Sequence, residues 1–439
     1  MNSSKGGDAV SKAHAIGPVP DGPAAVSAGW VAASSMRIDA DRMLQRIDAL
    51  AAINRQADGS CCRLALTDAD RQARDLMVGW MRAAGLEVHV DRIGNIFGVT
   101  PGGEGQAPVM TGSHIDTVAT GGRYDGVLGV VAGLEALQTI LEQGVAPARP
   151  LALAVFTNEE GVRFQPDMMG SLVYAGALDL AAALAARAED GAVLGEELQR
   201  IGYAGHEAGA PRPHAYVELH IEQGPILDRA GEVLGAVVDL QGISWQEVTF
   251  RGASNHAGTT PMALRRDAGA CASEIATFVR DLALRMGGSQ VATVGRIHFF
   301  PNLINVIPRE AKLTIDLRNT DERLLQAAEA EVAEQLQAIA AREGVTVEAR
   351  SLVRTPPVRF DETVVQVVEA VCAELGHPPR RMTSGAGHDA QMIAPIAPTA
   401  MIFVPSVNGV SHNPREATDP QHLELGANAL LHTLLRLAS

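Results

Sequence analysis

A handful of histidines and acidic residues in this chain of 439 residues have the types and spacing that chemistry at a metal ion requires. His114 and Asp116 appear where an apolar run entering from Val109 should stop, and a loop rich in glycine and threonine leads on to Asp125-Gly126. Glu159-Glu160 follow the run Leu-Ala-Leu-Ala-Val-Phe, His220 follows the apolar stretch 215–219, and His412 follows 399–404. Imidazole nitrogen combined with carboxylate oxygen suits zinc best, with manganese or cobalt as alternatives. Three imidazoles and three carboxylates on one rim can hold two divalent ions, and a carboxylate between the ions lets them share one activated water. Asp125 is the natural bridge, because it precedes Gly126, which tolerates unusual backbone geometry. Asp116 reads as the carboxylate behind His114, since a ligating imidazole usually donates its second N–H to such a partner. Neighbouring residues past a strand end point in different directions, so Glu160 can ligate while Glu159 faces the water as general base. Taken singly, each stretch is as well explained by a solvated loop. Their recurrence beyond successive strand ends is what favours a site.

Ligands from distant parts of a chain meet when strands of an open α/β sheet end on a common rim, where such sheets bind their ligands. Residues 109–113, 151–156, 215–219 and 399–404 read as buried strands, and helical segments alternate with them. Upstream, 39–53 has helical spacing, and Thr67 with Asp70, closed by Gly85, brackets a second helix. Leu76, Met77, Trp80 and Met81 are expected as the buried stripe of that helix, and 86–90 and 96–100 as strands. Met168, Met169 and Tyr174 are expected to pack a helix face into the core. The alternation predicts a mainly parallel sheet with helices on both faces. A different pattern, β-α-β-β-α-β, runs from about 243 to 355 and predicts an inserted ferredoxin-like α+β domain. The division is then a leader over 1–35, a first domain over 36–242 and 356–439, and the insertion over 243–355. The crossings near 240–243 and 355–360 are the places for a hinge.

Composition narrows the function classes. A hydrophobic content of 46% with 20% charged residues is that of a globular protein, and its length calls for two domains. A formal charge of −15 argues against a nucleic-acid or anionic-membrane surface as the main partner. Cys61, Cys62, Cys271 and Cys372 make no C-x-x-C pair, which points to free thiols in a reducing compartment, the cytoplasm. Residues 1–35 are rich in Gly, Ala, Ser and Pro without the apolar core of a secretory signal, and read as a disordered leader with Met36 a possible true start. No apolar run reaches the roughly 18 residues that would span a membrane.

Longer motifs carry a resemblance. The stretches T-G-S-H-I-D-T-V-x-x-G-G-R-Y-D-G, F-T-N-E-E-G-x-R-F, E-L-H-I-E-Q-G-P, S-N-H-A-G-T-T-P-M, N-x-I-N-V-I-P, S-G-A-G-H-D-A and S-H-N-P-x-E resemble the di-metal amidases of the hydantoinase/carbamoylase type. That group includes N-carbamoyl-L-amino acid hydrolase, allantoate amidohydrolase and a class of β-ureidopropionase, within the wider aminoacylase and metallo-exopeptidase clan. The resemblance runs from about residue 40 to the end, in motif order. It implies a zinc exopeptidase-like catalytic domain with the insertion as lid and dimerisation domain, and therefore a homodimer. It also implies a metal set of His114, Asp125 and His220, a second set of Asp125, Glu160 and His412, and Glu159 as base. His256 matches a histidine that steadies the oxyanion in the opposite subunit's site. Asn305 and Arg318 match the grip on the substrate's amide and carboxylate, and Gln223 and His388 match polar groups around the ureido end.

The residues allow plainer readings beside these. Arg318 could be a surface arginine paired with Asp316 or Glu310, Asn305 a turn residue, and His256 and His388 supports of their own loops. The expected reaction is hydrolysis of a ureido C–N bond in a small N-carbamoyl amino acid, with two divalent ions per subunit. Allantoate and N-carbamoyl-β-alanine are alternative substrates. A dipeptidase or aminoacylase is disfavoured by Gln223 and H-I-E-Q-G-P, and a non-catalytic binding protein by the presence of every ligand and of Glu159.

Overall fold

The structure, a computed structural model, describes residues 35–103, 105–206 and 212–439, and the fold is that of the unit Arg37–Ser439. The leader expected over 1–35 lies outside the described residues, Ser35 aside. Strands β1 (Glu87–Val90), β2 (Ile96–Val99), β3 (Val109–His114), β4 (Leu151–Phe156), β5 (Ala215–Ile221) and β6 (Gly235–Leu240) belong to one large sheet. A second sheet consists of β7 (Gly242–Arg251), β8 (Val291–Phe300), β9 (Glu310–Asn319) and β10 (Thr346–Thr355). The chain then returns to the first with β11 (Val358–Arg359), β12 (Arg380–Ser384) and β13 (Thr399–Val404).

The large sheet has the order β1-β2-β4-β3-β5-β13-β6-β11, with β12 beside β6. Its central strands β4, β3, β5 and β13 run parallel, and antiparallel pairs flank them at β2 and β6. Every residue of those four central strands is buried, as near-continuous apolar runs covered on both faces must be. The helices Val127–Glu142 and Pro420–Leu437 supply much of that cover. Sequence periodicity had no hold on β11 or β12, which are short and partly exposed, nor on β6, where Val238 and Asp239 are only partly buried.

The second sheet has the order β10-β7-β9-β8, antiparallel throughout. Helices Ala268–Met286 and Glu322–Glu343 cover one face around Phe250, Leu313, Leu317, Val332 and Leu336, giving the ferredoxin-like arrangement.

The helix Asp68–Ala83 starts as expected, with the Thr67 hydroxyl accepting from the Asp70 amide at 3.3 Å, and ends at Gly85, whose φ is +85°. Its buried face differs from the expected stripe. Leu76 is 37% exposed, and the inward positions include Asp70 and Arg74 beside Ala73, Met77, Val78 and Met81. The Arg74 guanidinium donates to Asp70 Oδ2 at 2.8 Å, to the Gly94 carbonyl at 2.7 Å and to Thr157 Oγ1 at 3.2 Å. It therefore ties this helix to the segment that carries Glu159. Removing one member of a buried ion pair strands the other charge and costs about 3–5 kcal/mol. Arg74→Met should lower the denaturant midpoint accordingly, while Asp70→Asn combined with Arg74→Met should cost less than the sum of the two single changes. Equal and additive losses in urea unfolding would show that the pair is not coupled.

Candidate metal centre

Parallel pairing delivers the candidate ligands to one edge. His114 is the last residue of β3, opposite Phe156 of β4, and His220 lies near the end of β5, opposite Phe403 of β13. Glu159 and Glu160 follow β4 after Thr157 and Asn158, and His412 follows β13 after a short loop. Asp125 Oδ1 lies 3.3 Å from His220 Nε2 and 3.9 Å from His114 Nε2, while Oδ2 lies 3.2 Å from His412 Nε2. Glu160 Oε2 is 3.7 Å from His412 Nε2, and Glu159 Oε2 is 3.3 Å from His114 Nε2. Ligand atoms on a tetrahedral ion with bonds of about 2.0–2.1 Å stand roughly 3.3 Å apart, so these separations suit a shared cation. Two groups, His114–Asp125–His220 and Asp125–Glu160–His412, each offer donor atoms within 4.8 Å of one another. Asp125 belongs to both, one oxygen toward each.

The loop geometry that aims Asp125 needs glycine next to it. Gly126 has φ +66°, and a Cβ there would overlap the His114 ring. Behind the ligands, His114 Nδ1 lies 2.9 Å from the Asp116 main-chain carbonyl and His220 Nδ1 2.9 Å from that of Ile221. Donation from both Nδ1 atoms leaves each Nε2 as a lone-pair donor toward the rim. The Asp116 carboxylate is farther off, at 3.9 Å from His114 Nδ1, and instead accepts the amides of Glu159 and Glu160, both at 3.3 Å. Asp116 thus fixes the glutamate pair with its side chain and the histidine with its backbone.

Two supporting carboxylates escaped the sequence reading. Glu416 accepts the amides of Tyr124 at 2.8 Å and Asp125 at 3.3 Å, and its other oxygen accepts from Ser411 Oγ at 3.1 Å. Ser411 Oγ also lies 3.1 Å from Asp125 Oδ2. The only signal for Glu416 was its place at the end of S-H-N-P-x-E. Glu218, fully buried in β5, accepts from Ser113 Oγ at 2.8 Å, Tyr216 Oη at 3.2 Å and the Ala390 amide at 2.8 Å. Its side chain braces β3, β5 and the helix after His388.

The protein groups alone leave this rim over-supplied with buried acid. Burial, then the charge of Glu160, pushes Glu159 well above the usual carboxylate range. Burial and the charge of Asp125 push Glu160 up to about 8, and burial pushes Asp116 and Glu416 to about 7. Burial lowers His114 to about 4, so its imidazole is neutral, as a ligand must be. His220 is pulled down by burial but carried to about 9 by its hydrogen bond to Asp125, and the same carboxylate raises His412 to about 9. Divalent cations between these groups would supply the positive charge that lets the acids ionise and the imidazoles deprotonate. The donor set and its electrostatics therefore fit the two ions.

A cavity of about 340 Å³ opens over the rim, lined among others by Glu159, Gln223, Arg318, His388 and His412. Gln223 Nε2 donates to Asp125 Oδ2 at 2.8 Å, and its buried Oε1 has no protein partner. His388 is buried against the His220 ring, with centroids 4.4 Å apart, and its Nε2 lies 3.0 Å from Ser384 Oγ. The guanidinium of Arg318 presents its side edge to Asp316, with Nη2 at 2.9 Å and Nε at 3.1 Å, and donates from Nη1 to the Gly385 carbonyl at 3.0 Å. The plain reading of a pairing with Asp316 thus coexists with a place on the cavity wall. His256 and Asn305 are exposed and sit next to each other, joined by the Ala257 amide to the Asn305 carbonyl at 2.9 Å, and neither lines this cavity. Met168 and Met169 are both buried as expected, and Met168, held at φ +53°, also lines the cavity.

Comparison with known proteins places this geometry. Residues 110–436 match the model of peptidase family M20/M25/M40. The N-carbamoyl-L-amino-acid amidohydrolase of Rhizobium meliloti is 40% identical, over 92% of this chain and 97% of the relative. The allantoate amidohydrolase of Bacillus subtilis is 37% identical, over 89% of this chain and 96% of the relative. A crystal structure of an amidase of the hydantoinase/carbamoylase family from Burkholderia multivorans superimposes with a TM-score of 0.89 at 43% identity, covering 92% of this chain and 99% of that one. The chain belongs to peptidase family M20/M25/M40 and, within it, to the hydantoinase/carbamoylase amidases.

Proposed function

We propose that the protein is a metal-dependent amidohydrolase that cleaves a C–N bond in the ureido group of small N-carbamoyl amino acids, with two divalent ions per subunit. The observation that carries the reading is the sharing of Asp125 between two ligand groups, with Glu159 and Arg318 on the wall of the same cavity. The imidazole and carboxylate donors suit zinc best, manganese and cobalt less well. When bound, the ions polarise the carbamoyl oxygen and acidify water for attack. Glu159, buried beside that position, accepts the proton of the attacking water and returns it to the departing nitrogen. The end of the Arg318 guanidinium, its side edge fixed by Asp316, grips the substrate carboxylate, and the free Oε1 of Gln223 accepts from the carbamoyl NH₂. His388 closes the far wall. Allantoate is the second reading, favoured by the 37% identity to the Bacillus subtilis enzyme, and N-carbamoyl-β-alanine differs only by a methylene.

The domain division follows the two sheets: 36–242 with 356–439 as the catalytic part, and 243–355 as lid and dimerisation domain. His256 and Asn305, away from the cavity of their own chain, then serve the site of a second copy in a homodimer, where His256 stabilises the oxyanion. The four cysteines are free, which supports a reducing, cytoplasmic setting, and no described helix is long and apolar enough to cross a membrane.

Glu159→Gln should retain its metal and lose roughly 10²–10⁴-fold in kcat. Full turnover with unchanged metal content would remove Glu159 as base. Arg318→Ala should raise KM for carboxylate substrates roughly 10–100-fold, the worth of a charged hydrogen-bonded pair, at constant metal content. An unaltered KM would move the anion grip elsewhere. Mixing the His256→Ala and Glu159→Gln proteins should restore part of the activity by giving mixed dimers one intact site; no recovery despite proven subunit exchange would confine His256 to its own chain.

A further inference from the structure

Residues two apart along a strand share a face about 7 Å from one another, so the second sheet offers a ruler over the cavity. Arg318 of β9 stands opposite Ile243 of β7, which stands opposite Thr355 of β10. The next rung on this face is Asp316, Trp245 and Val353, in which Asp316 is turned onto Arg318. Farther along, the face is a lattice of ion pairs: Glu247 receives Lys312 at 2.9 Å and Arg350 at 3.0 Å. Where β7 and β10 overhang the cavity the face is apolar instead, with Ile243, Trp245 and Val353 lining it together with Arg318 and Glu159. Trp245 is 41% and Val353 38% exposed, large apolar surfaces turned toward the opening.

The composition of that rung depends on one irregularity. The ladder between β7 and β10 shifts between Ser351 and Val353, leaving Leu352 as an extra residue. A bulge of this kind reverses which side chains face each way. In an unbroken ladder the alternation from Arg350 would set Leu352 and then Arg354 over the cavity. With the bulge, Val353 and Thr355 face it, and Arg354 turns to the helix side, where it meets Glu329 at 2.8 Å and Glu322 at 2.6 Å. A second cation beside Arg318 is thereby replaced by a neutral wall. From the catalytic part, Met168 and Met392 line the same cavity.

Resting on the functional reading above, we propose that the Trp245–Val353 rung, with Met168 and Met392, is a subsite for a large apolar substituent on the substrate's α-carbon. A carboxylate held by Arg318 puts that substituent one rung away, against Trp245 and Val353. The preferred substrates are then N-carbamoyl α-amino acids with side chains like those of leucine, methionine or phenylalanine. The second ureido group of allantoate would meet the same wall with its amide groups unpaired, and N-carbamoylglycine or N-carbamoyl-β-alanine would leave it unfilled.

The test compares kcat/KM of the metal-loaded full-length enzyme for N-carbamoyl-L-leucine, N-carbamoyl-L-phenylalanine, N-carbamoylglycine, N-carbamoyl-L-aspartate and allantoate, following ammonia release. Leucine and phenylalanine derivatives should exceed the glycine derivative roughly tenfold or more, the effect of burying one such side chain. Trp245→Ala should cut the leucine-to-glycine ratio by a similar factor, and Trp245→Phe should largely preserve it. Hydrolysis with a ratio near one, a preference for allantoate or aspartate, or a ratio indifferent to Trp245→Ala would overturn the subsite while leaving the amidohydrolase reading in place. Release of ammonia from none of the five would overturn both.

Discussion

The carboxylate of Asp125 lies between two groups of candidate metal ligands, one oxygen toward each, and the surrounding structure conforms to that placement. One oxygen faces His114 and His220, the other His412, so rotation of the group by a fraction of a turn would leave one set incomplete. Three devices resist the rotation. Gly126 lets the chain turn into the helix Val127–Glu142 directly beneath the His114 ring, Glu416 holds the amides of Tyr124 and Asp125, and Ser411 and Gln223 reach the oxygen that faces His412. Two of these props come from the segment that carries His412 itself. Ligand and support therefore arrive together when the last part of the chain docks, which ties the completeness of the second group to the folding of the C-terminal region.

The same placement explains why the sheet must be parallel at its centre. A carboxylate pair, two histidines at strand ends and the loop after β13 reach one edge only if β4, β3, β5 and β13 all point the same way. Parallel strands covered on both faces read as uninterrupted apolar runs, and a polar ligand at the end of such a run is conspicuous. That is why the candidate ligands, which the structure brings together, and the central strands stood out in the sequence. Periodicity fails where the environment is mixed. β11 and β12 at the sheet margin carry no apolar run long enough to register.

Buried charge is the second source of illegibility. A helical wheel places Arg74 and Asp70 outside because an isolated ion in the core is prohibitively costly. Together, with Gly94 and Thr157 as further acceptors, they satisfy each other and take the inward face, displacing Leu76 to the surface. Glu218 and Glu416 are cases of the same kind: a carboxylate whose partners lie far along the chain looks solvated until the fold brings the donors to it. Asp116 shows how a correct residue can carry a different contact from the expected one. Its position behind His114 was visible from spacing, but which of its oxygens meets the imidazole depends on where the Glu159 and Glu160 amides come to rest.

The second sheet adds a constraint that motif spacing cannot express. Side-chain direction in a strand has period two, so one surplus residue decides whether Arg354 or Val353 overlooks the cavity. Sequence inspection sees Ser-Leu-Val-Arg-Thr and has no means of choosing between the two alternations. The choice is made by tertiary partners: Glu322 and Glu329 on the covering helix draw Arg354 away, and the bulge at Leu352 relieves the resulting mismatch. The candidate ligands on the first sheet and the cavity wall on the second are thus specified by different physics, the former by where strands end and the latter by which way a strand faces. An insertion or deletion near Leu352 could therefore change what the cavity accepts without touching any residue around Asp125.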